Sequence, residues 1–212
     1  MAAWKAARLD EIGEVTDGRV PWRPVRAHFG IASFGINAFL GKQAGDRLIN
    51  EHDEADDGHE ELYLVQSGHA RFELDGETLD APAGTLVFVP AGVKRTAFAE
   101  EAGTTVVVTG GAPGQAYEAS GWEVWAPFHS QYQAGEYAQL ADRLDTALAD
   151  DPPYATVHYN AACVYSLAGR KEQALAHLRR GIELSDRVLE YARDDSDLDA
   201  IRDEPGFAEL VG

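Results

Sequence analysis

The chain is poor in the features that most often announce a function. It has one cysteine, Cys163, in 212 residues. No intrachain disulfide can form, which suits a reducing compartment. That cysteine sits among Ala161, Ala162 and Val164. Nothing near it in sequence would lower its pKa, so it reads as a buried structural thiol. Basic side chains are scarce, 18 against 36 acidic ones, for a net charge of −18. A surface of that sign repels phosphate backbones and anionic bilayers, so neither nucleic acid nor a membrane is an expected partner. Its plain consequence is solubility. No stretch approaches the ~18 apolar residues of a membrane span. Met1 to Asp17 carry neither an apolar run nor a cleavage pattern, so no signal peptide is read there and a cytoplasmic location is expected. There is no nucleophile elbow, no phosphate loop and no Cys-x-x-Cys pair.

What is present is a hydrophobic fraction of 45%, enough to bury a core. Its period changes once. From about Arg26 to Thr109 the apolar segments are short, β-branched and cut by glycine: Ile31 to Leu40, Glu61 to Val65, Ala70 to Leu74, Thr85 to Val89, Thr104 to Thr109. Even spacing of this kind predicts a sandwich or barrel. Between Leu74 and Glu77, Asp75-Gly76 is a favoured two-residue hairpin turn. Residues 110–114, GGAPG, read as a linker.

After Trp122 the apolar residues recur at three and four positions, the helical spacing, and Pro152-Pro153 divides the helical part in two. A shift of 34 residues places Gly135 on Gly169, Leu144 on Leu178 and Leu148 on Ile182. That period belongs to the tetratricopeptide repeat, a helix-turn-helix unit. Residues 155–186 resemble its consensus, with Ala162 and Ala174 small where paired helices approach and Gly169 ending the first helix. The DLDAIRDEPGF tail reads as a cap over the last apolar face. Asn160 stands where many such repeats bind a peptide backbone; with about two repeats, a packing or solubility role is favoured. The expected division is an N-terminal arm over 1–25, a β-barrel over 26–113 and a helical domain over 114–212.

The segment GTLVFVPAG, with Gly84, Pro90 and Gly92, resembles the second sequence motif of the cupins. EELYLVQSG, with Glu61 seven residues before Gly68, resembles the end of their first motif. The resemblance spans roughly residues 30–110 and implies a small jelly-roll β-barrel followed by the tetratricopeptide-like helical tail. In metal-binding cupins the first motif carries H-x-H and then the glutamate, and the second carries a third histidine. Here the H-x-H position reads His52-Asp53-Glu54, and the third histidine position holds Arg95. Arginine keeps its proton and ligates no metal.

Two readings of the barrel follow. His59 and Glu61, two apart in a strand, share a face. With His52 they could hold a divalent metal as two histidines and a carboxylate, which would make the chain a metal-dependent enzyme of oxygenase or isomerase type. The favoured reading has no cofactor. Arg95 pairs with Glu61 or with a small polar ligand, including an anion, and His59 and Glu61 are the candidates for acid–base work. His52 then sits in a solvated acidic loop. Tyr63 and Phe88 are candidate lining residues, with core packing as their plainer role. Trp4, Trp22, Trp122 and Trp125 could plug the barrel or seal it against the helices. A homodimer is expected, because sheet edges need cover; the tail could also contact a protein partner.

Overall fold

The computed structural model describes residues 4–16 and 19–212. The chain divides into two compact units, one ending at Ala119 and one running Ser120–Gly212.

The first unit holds nine strands: β1 Trp22–Arg23, β2 Gly35–Leu40, β3 Arg47–His52, β4 Glu60–Ser67, β5 His69–Leu74, β6 Glu77–Pro82, β7 Leu86–Val89, β8 Arg95–Ala99 and β9 Thr105–Gly111. A short helix, α1, covers Val25–Phe29. Every pairing is antiparallel. The strands form two sheets, in orders β1-β2-β9-β4-β7 and β3-β8-β5-β6. This is the jelly-roll barrel, two sheets closing over a shared core. The core is built by alternation: Tyr63 and Val65, Ala70 and Phe72, Val87 and Val89, Ala97 and Ala99 all point between the sheets. Outside, Ile12, Val25 and Ala38 form a smaller cluster that packs the N-terminal segment onto β2.

Local chemistry explains the best-placed elements. Asp75 and Gly76 have φ of 50° and 86°, and Leu74 pairs with Glu77 across them. Two consecutive left-handed residues are what a type I′ hairpin requires. Gly110 and Gly111 do not belong to a linker. They close β9 opposite Glu61 and Glu60. A Cβ on Gly110 would lie 2.6 Å from the Glu60 carbonyl oxygen, so the strand runs on because nothing projects there. Three strands, β1, β3 and β8, lie outside the expected segments. β3 and β8 carry Arg47, Asn50, Arg95 and Thr96, which break the apolar alternation that marks a strand. Trp22 is buried and pairs β1 with β2, whereas Trp4 is 74% exposed and plugs nothing.

The second unit is helical: α2 Gly121–Gln133, α3 Tyr137–Ala147, α4 Ala155–Leu167, α5 Lys171–Leu184, α6 Arg187–Asp194, α7 Asp199–Arg202 and α8 Pro205–Val211. α2 and α4 begin 34 residues apart, at Gly121 and Ala155, and so do α3 and α5, at Tyr137 and Lys171. The proline pair falls between α3 and α4. One apolar core, including Trp125, Leu144, Ala162, Cys163, Leu178 and Ile201, joins these helices. The C-terminal tail contributes Phe207 and Val211 to it. No helix among the described residues is long and apolar enough to cross a membrane.

Candidate functional site

The site lies between the two sheets, and strand register builds it. His52 and Arg95 are paired across β3 and β8. Glu61 and Tyr63 stand on β4 of the facing sheet, opposite Val89 and Val87. Side chains from both sheets therefore meet in the space that the jelly roll encloses.

Glu61 is the junction. Its Oε2 accepts a short hydrogen bond from the Tyr63 hydroxyl. The same oxygen lies 3.5 Å from His52 Nε2 and 3.6 Å from Arg95 Nε. Tyr63 is fully buried and packs edge-on against Phe72. Burial first, then the neighbouring Glu61 charge, pushes its hydroxyl pKa far up, so Tyr63 stays a proton donor.

His52 is held by acceptors at both ends. Nδ1 lies 2.7 Å from the Asn50 carbonyl oxygen. Nε2 lies 3.2 Å from Glu54 Oε1 as well as 3.5 Å from Glu61. Burial alone would lower its pKa. The hydrogen bonds to Glu54 and Glu61 and to the Asn50 carbonyl outweigh that and push it up to about 10. His52 in turn holds the Glu54 carboxyl below its ordinary range, against the opposing effect of burial. Glu54 reaches the group from a left-handed turn, φ 56°, after β3. Gly92 donates its N–H to the Asp53 carbonyl at 2.7 Å, which ties this turn to the loop after β7.

Arg95 is the most unusual residue of the barrel. It is 0% exposed. Nη2 donates to the Pro90 carbonyl at 2.9 Å. Nε and Nη1 are buried with no hydrogen-bond partner. A buried donor left unmet costs about 1–3 kcal/mol, and more when it is charged.

Three expectations need correction. The trio of His52, His59 and Glu61 does not assemble. The residues whose ligand-type atoms lie within 4.8 Å of one another are His52, Glu54 and Glu61. His59 precedes β4 and stacks on Tyr117, ring centroids 5.6 Å apart, with Nδ1 3.3 Å from the other Glu54 oxygen. His52 is not merely a residue of a solvated loop, since it ends β3 between two carboxylates. Phe88 does not line the interior. It is 59% exposed, because Val87 and Val89 take the inward positions of β7 and alternation turns Phe88 out. Glu54 was legible as the residue standing at the second H-x-H position. Tyr117, six residues after Gly111, carries no sequence signal. Arg26 lies 5.6 Å from its ring centroid.

The spacing of His52, Glu54 and Glu61 is one that a divalent cation could use. His52 Nδ1 is taken up by the Asn50 carbonyl, which leaves Nε2, facing Glu54 and Glu61, as the nitrogen that would give up its proton to such an ion. The fixed Arg95 cation stands 3.6 Å from Glu61 and opposes a further positive charge there.

The second unit has one comparable cluster. Cys163, Asp195 and Asp197 approach within 4.8 Å. Tyr159 and Tyr132 donate short hydrogen bonds to the two carboxylates. Burial, with Asp195 alongside, pushes the Cys163 thiol pKa well up, so it is held as an unreactive thiol.

No family profile matches the chain and no curated protein matches it. Several solved structures are similar to it. A cupin protein from Bacteroides fragilis is 16% identical, covering 57% of this chain and 93% of its own, with a TM-score of 0.41. An RmlC-like cupin from Shewanella frigidimarina is 15% identical, covering 51% and 91%, with a TM-score of 0.39. Pac13 from Streptomyces, described as a nucleoside dehydratase, is 17% identical, covering 51% and 82%, with a TM-score of 0.40.

Proposed function

We propose that the barrel is a binding module for a small polar molecule held by Arg95, and that the helical unit serves contacts with a second copy or a protein partner. The observation that carries the first part is the pair of buried, unmet donors on Arg95. Native folds pair nearly all such groups, so an exception asks for a missing acceptor. A planar guanidinium with two free N–H groups is suited to an oxygen-bearing ligand. Around it, Glu61, Glu54, His52 and Tyr63 offer acceptors and donors at fixed positions. His52 is the most open of these, its side chain 33% exposed, and Glu54 follows at 19%. A ligand enters past them towards Arg95.

The metal-dependent reading is not favoured, because the permanent Arg95 cation stands 3.6 Å from Glu61 and His59 is directed to Glu54 and Tyr117. The test follows the Arg95 Nε–H resonance by nitrogen-15 NMR. The protein is titrated with sugars, their aldonates and dicarboxylates. At least one class is expected to move that resonance saturably. Arg95→Met, checked for folding by circular dichroism, is expected to abolish the accompanying shifts on β8. No saturable shift across all three classes would remove the reading. So would one tightly held divalent metal per chain that competes with the ligand.

A further inference from the structure

Two histidines meet edge to edge inside the helical unit. His158 on α4 is 1% exposed, and His177 on α5 is half-buried. Their Nδ1 atoms are 2.9 Å apart, while the ring centroids are 5.2 Å apart. The two nitrogens therefore stand between the rings, each aimed at the other. The remaining nitrogen of His158, Nε2, meets the Pro152 carbonyl at 2.9 Å and lies 3.5 Å from Asp151 Oδ1. Both of those oxygens accept, so Nε2 carries a proton.

The line between the two Nδ1 atoms has room for one proton, because one nitrogen must donate and the other accept. With both rings neutral, His177 donates to His158. With one ring charged, a single proton still lies between them. With both rings charged, two N–H groups would point at each other across 2.9 Å, and the contact cannot hold.

The charged groups that act on His177 are His158, Asp145 on α3 and Asp151 in the turn before α4. Each carboxylate favours a charged ring, and each is already engaged by an arginine, Asp145 by Arg170 at 3.0 Å and Asp151 by Arg180 at 2.7 Å. Tyr165 of α4 stacks on the His177 ring and donates its hydroxyl to Asp145. Burial, and then the neighbouring His158, hold the His177 pKa below its ordinary value.

The pair joins three segments: the two rings tie α4 to α5, and Pro152 ties the turn after α3 to α4. We propose that His158 and His177 form a proton-operated latch in the helical unit, closed while one proton lies between their Nδ1 atoms and opened when acid charges both rings. The closed chain resists the last proton and the open chain does not. The latch is therefore whole above the ordinary value of 6.5 and is lost as pH falls below it.

Hydrogen exchange of backbone amides in the full chain tests the latch, with rates corrected for the direct effect of pH on exchange. Between about pH 7.5 and about pH 5, the α5 amides of the wild type are expected to lose protection by on the order of tenfold, the equivalent of one pKa unit. The amides of β4 and β9 are expected to keep theirs. His177→Asn supplies an amide that can turn its N–H or its carbonyl to His158 Nδ1, so the contact survives either charge of that ring. Its α5 protection is expected to hold at both pH values. Equal α5 protection in the wild type at the two pH values overturns the proposal. So does an undiminished acid loss in His177→Asn. A loss in β4 and β9 as large as that in α5 also overturns it, because acid then loosens the whole chain. Where His177→Asn does not fold, nitrogen-15 spectra of the wild-type rings decide. The second ring is expected to take its proton together with the loss of α5 protection, and two charged rings with α5 protection intact would overturn the latch.

Discussion

Each unit buries one large basic or imidazole side chain, and the two are treated differently. In the helical unit His158 is 1% exposed. Its Nε2 meets the Pro152 carbonyl at 2.9 Å, and its Nδ1 meets His177 Nδ1 at the same distance. His177 stacks on Tyr165, whose hydroxyl donates to Asp145. Every polar atom of His158 is met inside its own unit, which is how a polar group serves packing. Arg95 in the barrel is enclosed as completely, yet two of its three nitrogens are unmet. A folded chain keeps an unmet buried donor at a cost in stability, larger for a charged guanidinium than for the Ser166 hydroxyl, which is unmet in the helical unit. The contrast extends to the surroundings. The helical unit also holds carboxylates, with Glu123 buried and Asp195 and Asp197 each accepting from a tyrosine, while in the barrel Glu54, Glu61, His52 and Arg95 gather into one group.

The strongest way to break this contrast is to damage the unit that is read as packing alone. Leu178 on α5 is fully buried in the helical core. Leu178→Ala is expected to cost about 3 kcal/mol, the usual sum of lost transfer energy and a residual cavity. Urea unfolding followed by the near-ultraviolet signal of Trp125 would measure it. Ligand binding at Arg95 should survive under native conditions. If binding falls in proportion to the helical damage, the two units do not divide the work as described.

A second, smaller effect separates the units by pH. The His52 pKa is raised from 6.5 to about 10 in the folded chain. A raised pKa means that folding favours the protonated ring. Its stabilisation is fully present below the unfolded value of 6.5 and is lost as pH climbs through about 10. Barrel stability should therefore fall between pH 7 and 10 more steeply in the wild type than in His52→Gln. Urea midpoints at three pH values would show it. Parallel slopes for the two proteins would mean that folding does not hold the proton on His52.

The architecture was largely legible in the sequence, and the reasons are local. Asp75-Gly76 can be little else than a hairpin turn, and the proline pair at 152–153 can be little else than a break between helices. The 34-residue shift survives in the helix starts because each repeat buries the same small and apolar positions. β3 and β8 escaped because they carry His52, Arg95 and Thr96, polar residues that spoil the period-two pattern. Within the site, Glu61 and Tyr63 could be placed by strand parity, and Arg95 by its position three residues after Gly92 of the second motif. The position of His59 could not, because β4 starts one residue after it and parity ends where the strand does. Glu54 needed the left-handed turn at its own backbone to reach His52, and no pattern of residue types encodes that turn.

The smallest expected effect concerns the segment after β9. Tyr117 stacks on His59, and His59 touches the outer oxygen of Glu54. The ring rests against Gly35 of β2, where an added Cβ would lie 2.6–2.7 Å from the ring carbons and hydroxyl. Gly35 has no positive φ, so alanine meets no backbone strain there. The overlap falls on the far end of a side chain in an irregular segment, which can move aside. Gly35→Ala should therefore cost on the order of 1 kcal/mol, since the overlap at this buried position is relieved by a side chain and not by backbone. Its reach into the site should nonetheless be readable. With Tyr117 displaced, the His59 ring resonances should shift, because an aromatic neighbour sets much of their local field. The His52 resonances should hold, since its partners Asn50, Glu54 and Glu61 are untouched. Shifts at both histidines would join Tyr117 to the charged group itself. Shifts at neither would mean that the ring does not rest on Gly35, and the outer wall of the site would have to be drawn without it.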